Sequence, residues 1–408
     1  MLMRKLLLLS GCLFGALIFV TTPSQAQTLE IRLFEIFHPQ ILEINSGVEQ
    51  LTNGLMKKTS RHHHNFLIVS PLPDMQRQVR IIFTPTALQL ESAGSTRSLS
   101  LADTIKIAAT VGYFFARPNV GQPALAIPRP YSGSIQIYVT GKELCIINLA
   151  PVEDYLAGVL AAEMPTADFA ALQAQAVVAR TYMIKNWRRH QKDNYQFCDL
   201  THCQVYKGNE NRTDQVKQAI TNTADEILVY HQQPIEAYYS STCGGRAADD
   251  NGVWANQKDQ PYLKSRADSN FCANSPHYQW RAKISADSLH QIWQRHLGEP
   301  MNAITISKKG ADGRVRELAL MGHSLHLITG EDFRAVTCRV LGWNTLKSTA
   351  FDLQIEKNVY IFTGRGLGHG LGLCQYGAME MARRGYSYRK ILRHYFPGTE
   401  IQKYTGEK

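Results

Sequence analysis

The sequence predicts an α+β fold in which strands and helices are mixed without regular alternation. Short apolar–polar alternations such as residues 78–83 indicate strands, and Gly and Pro mark the turns between them. Apolar residues that recur every three or four positions across residues 168–189 indicate a helix. We therefore expect a domain of mixed strands and helices that carries an insertion and follows a small, mostly-β N-terminal region.

Composition narrows the class of protein. Apolar residues make up 44% of the 408 positions, which excludes a largely disordered chain. The longest apolar run lies at the N-terminus, which excludes a polytopic membrane protein. The net charge of +10 is spread along the chain, and a basic surface suits nucleic acid, anionic lipid or an acidic polymer. Composition alone does not choose among these partners.

The N-terminus indicates export. A positive pair at residues 4–5 precedes an apolar run at 6–20, and small residues follow as a signal peptidase requires. We expect residues 1–26 to be a cleaved signal peptide, and the protein to reach the periplasm or cell envelope. The residues before Cys12 also resemble a lipoprotein box, so anchoring through a lipidated Cys12 or an uncleaved signal is the alternative.

The remaining chain divides into two predicted parts. Residues 27–130 show strand patterns but no set of residues that carries chemistry, so their role is not predicted. The run His62–His64 favours a solvated loop over a metal site, because three adjacent side chains cannot all face one ligand. Residues 131–408 hold the other motifs and form the predicted main domain.

Local signals place the elements of this domain in order. Residues 135–139 and 144–149 indicate a strand pair that leads to Pro151, which begins a helix that Pro165 ends. A second helix is expected at 168–189. The later predicted elements are strands at 226–230 and 235–239, an insertion at 280–345 with a helix at 285–296, and a C-terminal strand, glycine-rich turn and two helices.

Glu163 stands where the first helix should carry an apolar residue. On a helical wheel it lies about 20° from Leu156 and among apolar positions. Apolar neighbours and the C-terminal end of a helix both raise a carboxyl pKa, which suits a general acid near neutral pH. The alternative is a glutamate that extends from the last turn into solvent.

A cluster of metal-ligating residues follows the second helix. Cys198, His202 and Cys203 place two thiols and an imidazole within six residues, and His190 offers a fourth ligand. Zinc prefers these ligand types, although the spacing is not that of a standard zinc finger. A Cys198–Cys203 disulfide is the alternative in an exported protein.

Two later segments expose backbone and polar groups. Residues 240–245 follow an apolar strand and lack the Gly-x-Ser-x-Gly pattern of a serine nucleophile, which favours a ligand-lining turn. Cys243 in this turn is expected to form a disulfide with Cys272. Residues 364–372 have glycine at every second position, which lets a ligand or another backbone approach. Tight packing of one strand on another is the alternative there.

Several separated motifs, taken in order, resemble the SpoIID/LytB family, named for stage II sporulation protein D and the amidase-enhancer proteins. The resemblance extends from about residue 132 to the C-terminus. The matching segments are 149–156 (LAPVEDYL), 163–165 (EMP), 171–182 (ALQAQAVVARTY), 204–206 (QVY), the 240–245 turn with Trp254 and 261–263 (PYL), and 368–378 (GHGLGLCQYGA).

The resemblance implies a peptidoglycan lytic transglycosylase. Such an enzyme cleaves the MurNAc–GlcNAc bond of peptide-denuded glycan strands and leaves 1,6-anhydro-MurNAc ends, with Glu163 as the catalytic acid. It also implies zinc at Cys198, His202 and Cys203, with His190 as the candidate fourth ligand, in a structural or site-organising role. The substrate-binding residues that we expect are Arg180, Tyr182, Tyr206, Ser240, Ser241, Gly244, Gly245, His369 and Gln375.

Two other functions stay open at this point. The first is a non-catalytic peptidoglycan-binding protein that stimulates a cell-wall amidase, as the enhancer branch of the family suggests. The second is a zinc hydrolase, which the sequence disfavours because no open metal site with a nearby base is evident. No nucleic-acid partner is expected in either case.

Overall fold

The computed structural model describes residues 28–46, 48–52, 66–71, 77–92, 95–108, 112–117, 129–249, 253 and 260–406. The predicted signal peptide, Cys12, His62–His64 and Trp254 lie outside these residues. No helix in the described ranges has both the length and the apolar character that crossing a membrane requires.

The first part of the chain is built from strands. In order they are β1 (Thr28–Leu33), β2 (Ile41–Ser46), β3 (Val48–Thr52), β4 (Phe66–Pro71), β5 (Arg77–Phe83), β6 (Leu88–Ser92), β7 (Ser95–Leu99), β8 (Thr104–Ala108), β9 (Gly112–Arg117), β10 (Arg129–Pro130), β11 (Ser134–Thr140) and β12 (Glu143–Pro151).

Helices and short strands are mixed in the rest of the chain. In order they are α1 (Val152–Glu163), α2 (Phe169–Lys185), β13 (Phe197–Cys198), α3 (Asp214–Asn222), β14 (Glu226–Tyr230), β15 (Gln233–Pro234), β16 (Tyr239–Ser240), β17 (Gln279–Ser285), α4 (Ala286–Leu297), β18 (Ala303–Lys309), β19 (Val315–Met321), β20 (Leu325–Thr329), α5 (Gly330–Leu341), β21 (Phe351–Glu356), β22 (Val359–Arg365), β23 (Leu373–Cys374), α6 (Gln375–Arg383), α7 (Tyr388–Tyr395) and β24 (Glu400–Lys403). The predicted α+β class with a β-rich N-terminal region is confirmed.

Two sheets organise the strands of the first part. One has seven strands in the order β13-β1-β12-β11-β8-β4-β3, and the other has six in the order β10-β9-β2-β5-β6-β7. Strand β1 pairs antiparallel with β12 along its whole length, from Thr28 opposite Pro151 to Leu33 opposite Ile146. Strands from both sides of the expected boundary at residue 131 therefore share the seven-stranded sheet, and both sheets contribute to one hydrophobic core.

Helix α1 leaves this sheet directly and carries Glu163 as its last residue. Helix α2 packs against α1, α3, α6, α7 and β14, and its buried stretch from Ala171 to Met183 covers almost every side of the helix. Alanine at many of these positions lets the neighbouring helices approach closely. The end of α1 is thereby held inside the protein, facing the segments that follow α2.

The predicted insertion forms a module with its own core. Strands β17, β22 and β21 make one three-stranded sheet and β18, β19 and β20 make another, with α4 and α5 beside them. Trp293 stacks on Phe333 at a ring-centroid distance of 5.4 Å in the centre of this core. The module is longer than the predicted range 280–345, because β21 and β22 complete its first sheet.

One predicted strand differs from the structure. Residues 235–239 do not form a continuous strand; residues 235–238 run between β15 and β16, and Tyr239 begins β16. The amide of Ile235 still bonds to the carbonyl of Leu228 at 3.2 Å, and the segment then leaves the sheet to line a cavity.

Candidate active site and metal cluster

A cavity of about 1210 Å³ lies between the end of α1, the start of α6 and the insertion module. Small-molecule sites commonly enclose about 300–1,000 Å³, so this cavity has room for a larger ligand. Six of the predicted catalytic and substrate-binding residues line it, together with two of the predicted metal ligands, His202 and Cys203. The six are Glu163, Tyr182, Ser240, Ser241, His369 and Gln375.

Three hydrogen-bonding groups surround the carboxyl of Glu163. The amide of Val205 donates to Oε1 at 3.0 Å, and Nε2 of Gln375 donates to Oε2 at 3.2 Å. The hydroxyl of Tyr239 lies 3.3 Å from Oε1. These contacts fix the carboxyl in one orientation towards the cavity.

The surroundings of Glu163 act on its pKa in opposite directions. Burial raises the pKa, whereas the hydrogen bonds from Val205, Gln375 and Tyr239 and the charge of Lys207 lower it. Burial is the largest effect, so the pKa lies above its ordinary value. A carboxyl with a raised pKa keeps its proton to a higher pH and can still ionise, which suits general acid–base catalysis.

The Tyr239 hydroxyl can form a hydrogen bond with Glu163 in either protonation state of the carboxyl. Its hydroxyl also lies 3.1 Å from Oε1 of Gln204, and it has only one proton to donate. When Glu163 is ionised, this proton can point to the carboxylate. When Glu163 is protonated, the hydroxyl can donate to Gln204 and accept from the carboxyl instead.

His369 lines the cavity as an uncharged side chain. Its Nδ1 accepts a hydrogen bond from the amide of Leu371 at 3.0 Å, which places the ring proton on Nε2. Burial and the charge of Arg314 lower the His369 pKa to about 3. The imidazole therefore stabilises the loop and is not a proton donor near neutral pH.

The alternate glycines of residues 364–372 serve backbone packing. Thr242 and Leu367 exchange amide–carbonyl hydrogen bonds of 3.1 and 2.9 Å, which join this loop to the 240–245 turn. A Cβ on Gly366 would lie 2.5 Å from the carbonyl oxygen of Thr242, and Gly366 has a φ of +77°. The glycines thus pack closely against other parts of the chain, while residues 367–369 of the same segment line the cavity.

Four predicted substrate-binding residues have other places in the structure. Arg180 is buried and donates to the carbonyl of Thr223 at 2.7 Å. Tyr206 is buried, and its hydroxyl donates to Oδ1 of Asn148 at 2.8 Å. Gly244 and Gly245 have positive φ angles and pack closely against Arg365 and Tyr278 respectively. All four lie outside the lining of the cavity, because folding uses their side chains or backbone.

Ser240 and Ser241 stay candidates for ligand binding. Ser240 is buried, and its hydroxyl forms no hydrogen bond within the described residues. A buried hydroxyl without a partner costs free energy, which a ligand on the cavity side can recover.

The predicted metal ligands lie together beside the cavity. Ligand atoms of His190, Cys198, His202 and Cys203 are all within 4.8 Å of one another, so this group could hold a metal ion. Sγ of Cys203 lies 3.4 Å from Nε2 of His190 and 3.8 Å from Nδ1 of His202. A hydrogen bond from the Cys198 thiol lowers the pKa of Cys203, which favours its thiolate form.

A neighbouring residue orients one of the two imidazoles so that it can act as a metal ligand. Asp193 contacts Nδ1 of His190 at 3.1 Å, which leaves Nε2 directed at the thiols as a metal ligand requires. Nη2 of Arg189 lies 3.0 Å from Nε2 of His202. A guanidinium only donates, so binding through Nδ1 of His202 requires this arginine to move aside.

The insertion module contributes cavity residues that the sequence did not point to. Trp343 is 56% exposed and lines the cavity, and the guanidinium of Arg334 lies 5.6 Å from its ring centroid. A tryptophan near the end of the predicted insertion was the one signal that the sequence offered. Tyr239 was also missed, because its contact with Glu163 joins segments 76 residues apart.

Fold and cavity together define an α+β protein with one multiply hydrogen-bonded glutamate in a wide cleft beside a Cys/His cluster. Comparison with known proteins adds the family. A family model described as Stage II sporulation protein (SpoIID) matches residues 140–230, and a second, described as Domain of unknown function (DUF8618), matches residues 266–372. The second match spans most of the insertion module.

Three relatives were compared with this chain, and two of them have names that agree with the first match. The chain is 33% identical to an uncharacterized protein of Brachyspira hyodysenteriae over 67% of this chain and 73% of that protein. It is 30% identical to Stage II sporulation protein D of Bacillus subtilis over 66% of this chain and 79% of that protein. It is 28% identical to the Amidase enhancer of the same organism, over 61% of this chain and 40% of that protein. The chain belongs to the SpoIID family.

Proposed function

We propose that the protein is an exported enzyme of the cell wall, a lytic transglycosylase that acts on glycan strands of peptidoglycan. The observation that carries this proposal is the Glu163 carboxyl, which is oriented by three hydrogen-bonding groups at the wall of a wide cavity. Membership of a family that includes Stage II sporulation protein D and the Amidase enhancer supports a cell-wall-related role.

One carboxyl is enough for this reaction. Ordinary glycosidases use two carboxyl groups, whereas a lytic transglycosylase uses the 6-hydroxyl of muramic acid as an internal nucleophile. Glu163 first protonates the glycosidic oxygen as the C1–O bond breaks. The resulting carboxylate then takes the proton from the 6-hydroxyl as that oxygen bonds to C1. The product has a 1,6-anhydro end, and Glu163 is protonated again.

The cavity wall suits a sugar polymer. Trp343 presents an exposed aromatic face, and rigid aromatic rings supply contact area at low entropic cost. Tyr238 and Arg334 lie on the same lining, with Ser240 and Ser241 as polar groups. This mixture of apolar faces and hydroxyls matches the alternating C–H and O–H surfaces of a glycan.

The Cys/His cluster fits a structural zinc ion. His190, Cys198, His202 and Cys203 supply four ligands of the types that zinc prefers, and four protein ligands leave no open position. A bound zinc ion would supply folding energy and would rigidify the loop after Cys198. That loop carries the Val205 amide, which donates to Glu163.

Product analysis with two variants tests the proposal. Denuded glycan strands are incubated with wild type, Glu163→Gln and Glu236→Gln, and the ends are identified by mass spectrometry. Glu236 is a matched control because it is a second glutamate on the cavity wall. We expect anhydro ends from wild type and Glu236→Gln, and a loss of about 10²–10⁴ in rate for Glu163→Gln. Equal rates for wild type and Glu163→Gln, or reducing ends in place of anhydro ends, would overturn it.

The second candidate function is stimulation of a cell-wall amidase. Similarity to the Amidase enhancer favours it, although the chain covers 40% of that protein. In this case neither wild type nor Glu163→Gln cleaves glycan, and both increase the rate of an added amidase equally.

A further inference from the structure

A second cluster of metal-ligating side chains lies behind the cavity wall. It consists of Cys243, Asp268, Cys272 and Cys374, which are all buried and whose ligand atoms all lie within 4.8 Å of one another. The Sγ atoms of Cys243 and Cys272 are 3.5 Å apart. In a tetrahedral site with Zn–S bonds of about 2.3 Å, neighbouring sulfur atoms lie about 3.8 Å apart.

We propose that these three thiolates and one carboxylate bind a second zinc ion. The Asp268 carboxyl is 1% exposed, accepts from the Tyr395 hydroxyl at 2.7 Å and accepts from the Cys272 amide at 2.9 Å. Within the described chain its hydrogen bonds thus come from neutral donors. A buried carboxylate is stable when it is paired or coordinates a metal, and an ion at this cluster supplies the missing positive charge.

Hydrogen bonds around the sulfur atoms suit thiolates. The amide of Cys243 donates to Sγ of Cys374 at 3.2 Å. The fully buried Arg314 donates to the carbonyl of Cys243 at 3.4 Å. Three thiolates and a carboxylate around Zn²⁺ carry a net negative charge, and this guanidinium lies close enough to offset part of it.

The expected Cys243–Cys272 disulfide is not formed in this structure. A disulfide requires sulfur atoms about 2.0 Å apart, and these two are separated by 3.5 Å. The sequence pattern suggested a pair, but folding adds Cys374 and Asp268 to the same space. A disulfide would leave one thiol and one carboxyl buried beside it, whereas a tetrahedral ion uses all four groups.

An ion at this cluster would join three segments that line or support the cavity. Cys243 lies in the 240–245 turn, Cys272 in a 3₁₀ helix at Phe271–Asn274 and Cys374 directly before α6. Gln375, the first residue of α6, donates to Glu163. The ion would therefore have a structural role, because it would hold these three segments together.

Metal content of the full chain tests this site, independently of glycan cleavage. The exported protein is purified without chelators, and zinc is measured in wild type, Cys374→Ser, Cys203→Ser and the double variant. We expect two zinc ions in wild type, one in each single variant and none in the double variant. Asp268→Asn, which keeps size and all thiols, is the second variant if Cys374→Ser does not fold, and it should bind the ion more weakly in a chelator titration.

Two results would overturn the proposal. One is the same zinc content in wild type and Cys374→Ser, with unchanged chelator affinity in Asp268→Asn. The other is a disulfide between any two of Cys243, Cys272 and Cys374 in the exported protein, detected by peptide mapping without reduction. Cobalt substitution adds a spectroscopic check: Cys203→Ser should keep strong thiolate-to-metal absorption, because three thiolates remain at the second site.

Discussion

The amide nitrogen of Gln375 lies 3.2 Å from Oε2 of Glu163, although 212 residues separate the two along the chain. Glu163 ends α1 and Gln375 begins α6, so the contact depends on how both helices pack against α2. The candidate active site is therefore a product of the tertiary fold. It is not a local motif.

The hydrogen bond from Gln375 to Glu163 predicts that removing it will change the pH dependence of kcat/KM. Its hydrogen bond favours the ionised form of Glu163, so Gln375→Leu should raise the Glu163 pKa further. A general acid must be protonated, and the alkaline limb of the kcat/KM profile reports its pKa in the free enzyme. We expect this limb to move to higher pH in Gln375→Leu. An unchanged limb with a lower rate at every pH would show that Gln375 only supports the fold.

Tyr239 is predicted to assist Glu163 through its hydroxyl. Tyr239→Phe removes a group that lies 3.3 Å from Glu163 and 3.1 Å from Gln204, and such a bond contributes about 0.5–1.5 kcal/mol. That loss corresponds to a decrease in kcat of about 2- to 13-fold if the bond acts in the transition state. Tyr360→Phe is the control, since Tyr360 is a buried tyrosine outside the cavity lining whose hydroxyl also has two hydrogen-bonding contacts. Equal rates for the two variants would contradict the role of Tyr239.

A zinc ion at the first Cys/His cluster is predicted to support the geometry of the candidate active site around Glu163. Cys203→Ser should lose one zinc ion relative to wild type, lower the unfolding temperature and decrease kcat, because the loop that carries the Val205 amide loses its ligand. Cys145→Ser, which changes a buried cysteine outside both clusters, is the control and should keep its zinc. A Cys198–Cys203 disulfide in the purified protein, found by peptide mapping without reduction, would contradict zinc at this cluster.

Sequence patterns predicted the local features of the site. Helix α1 and the position of Glu163 at its end followed from Pro151, Pro165 and the spacing of apolar residues, all of which act within a few turns. The four ligands of the first cluster are within 14 residues of one another, so spacing alone was informative. Such signals do not depend on the rest of the fold.

Long-range features could not be predicted in this way. Tyr239 contacts Glu163 from a segment 76 residues further along the chain, and Cys374 lies beside Cys243 and Cys272 from another distant segment. No spacing pattern in the sequence therefore indicates either contact. Arg180 and Tyr206 are polar residues within recognisable motifs, yet folding directs them into the core. Polar residues in a motif can thus stabilise the fold without binding a ligand. Only their burial and their hydrogen-bond partners distinguish a structural role from a ligand-binding role.

Trp343 is predicted to determine glycan affinity. Trp343→Ala removes the exposed aromatic face that the insertion module places on the cavity wall, whereas Glu163 and its hydrogen bonds are unaffected. We expect a higher KM with little change in kcat, which is the pattern of lost uniform binding. Trp343→Phe should recover most of the affinity because it keeps an aromatic face. A fall in kcat at constant KM would instead place Trp343 close to the reacting bond.

The Glu163 carboxyl is predicted to lower the free energy of unfolding of the protein, in addition to its proposed role as the catalytic acid. Burial raises its pKa in the folded protein, so below its unfolded-state pKa it is protonated in both states and costs nothing. As pH rises through the folded-state pKa, the folded protein must hold a buried negative charge, and stability is lost. Glutamine at this position never ionises, and functional residues often carry such a cost.

Glu163→Gln should therefore have a larger free energy of unfolding than wild type at pH 7, and the difference should shrink as pH falls towards 4.5, the ordinary pKa of the side chain. Urea unfolding at several pH values measures this difference in the free energy of unfolding. Glu236→Gln controls for the loss of one negative charge from a chain of net charge +10, which by itself should lower stability. Equal stability of wild type and Glu163→Gln at pH 7 would mean that Val205, Tyr239 and Gln375 fully compensate the buried charge. The surroundings would then not raise the Glu163 pKa, which would contradict the proposed role of Glu163 as a general acid near neutral pH.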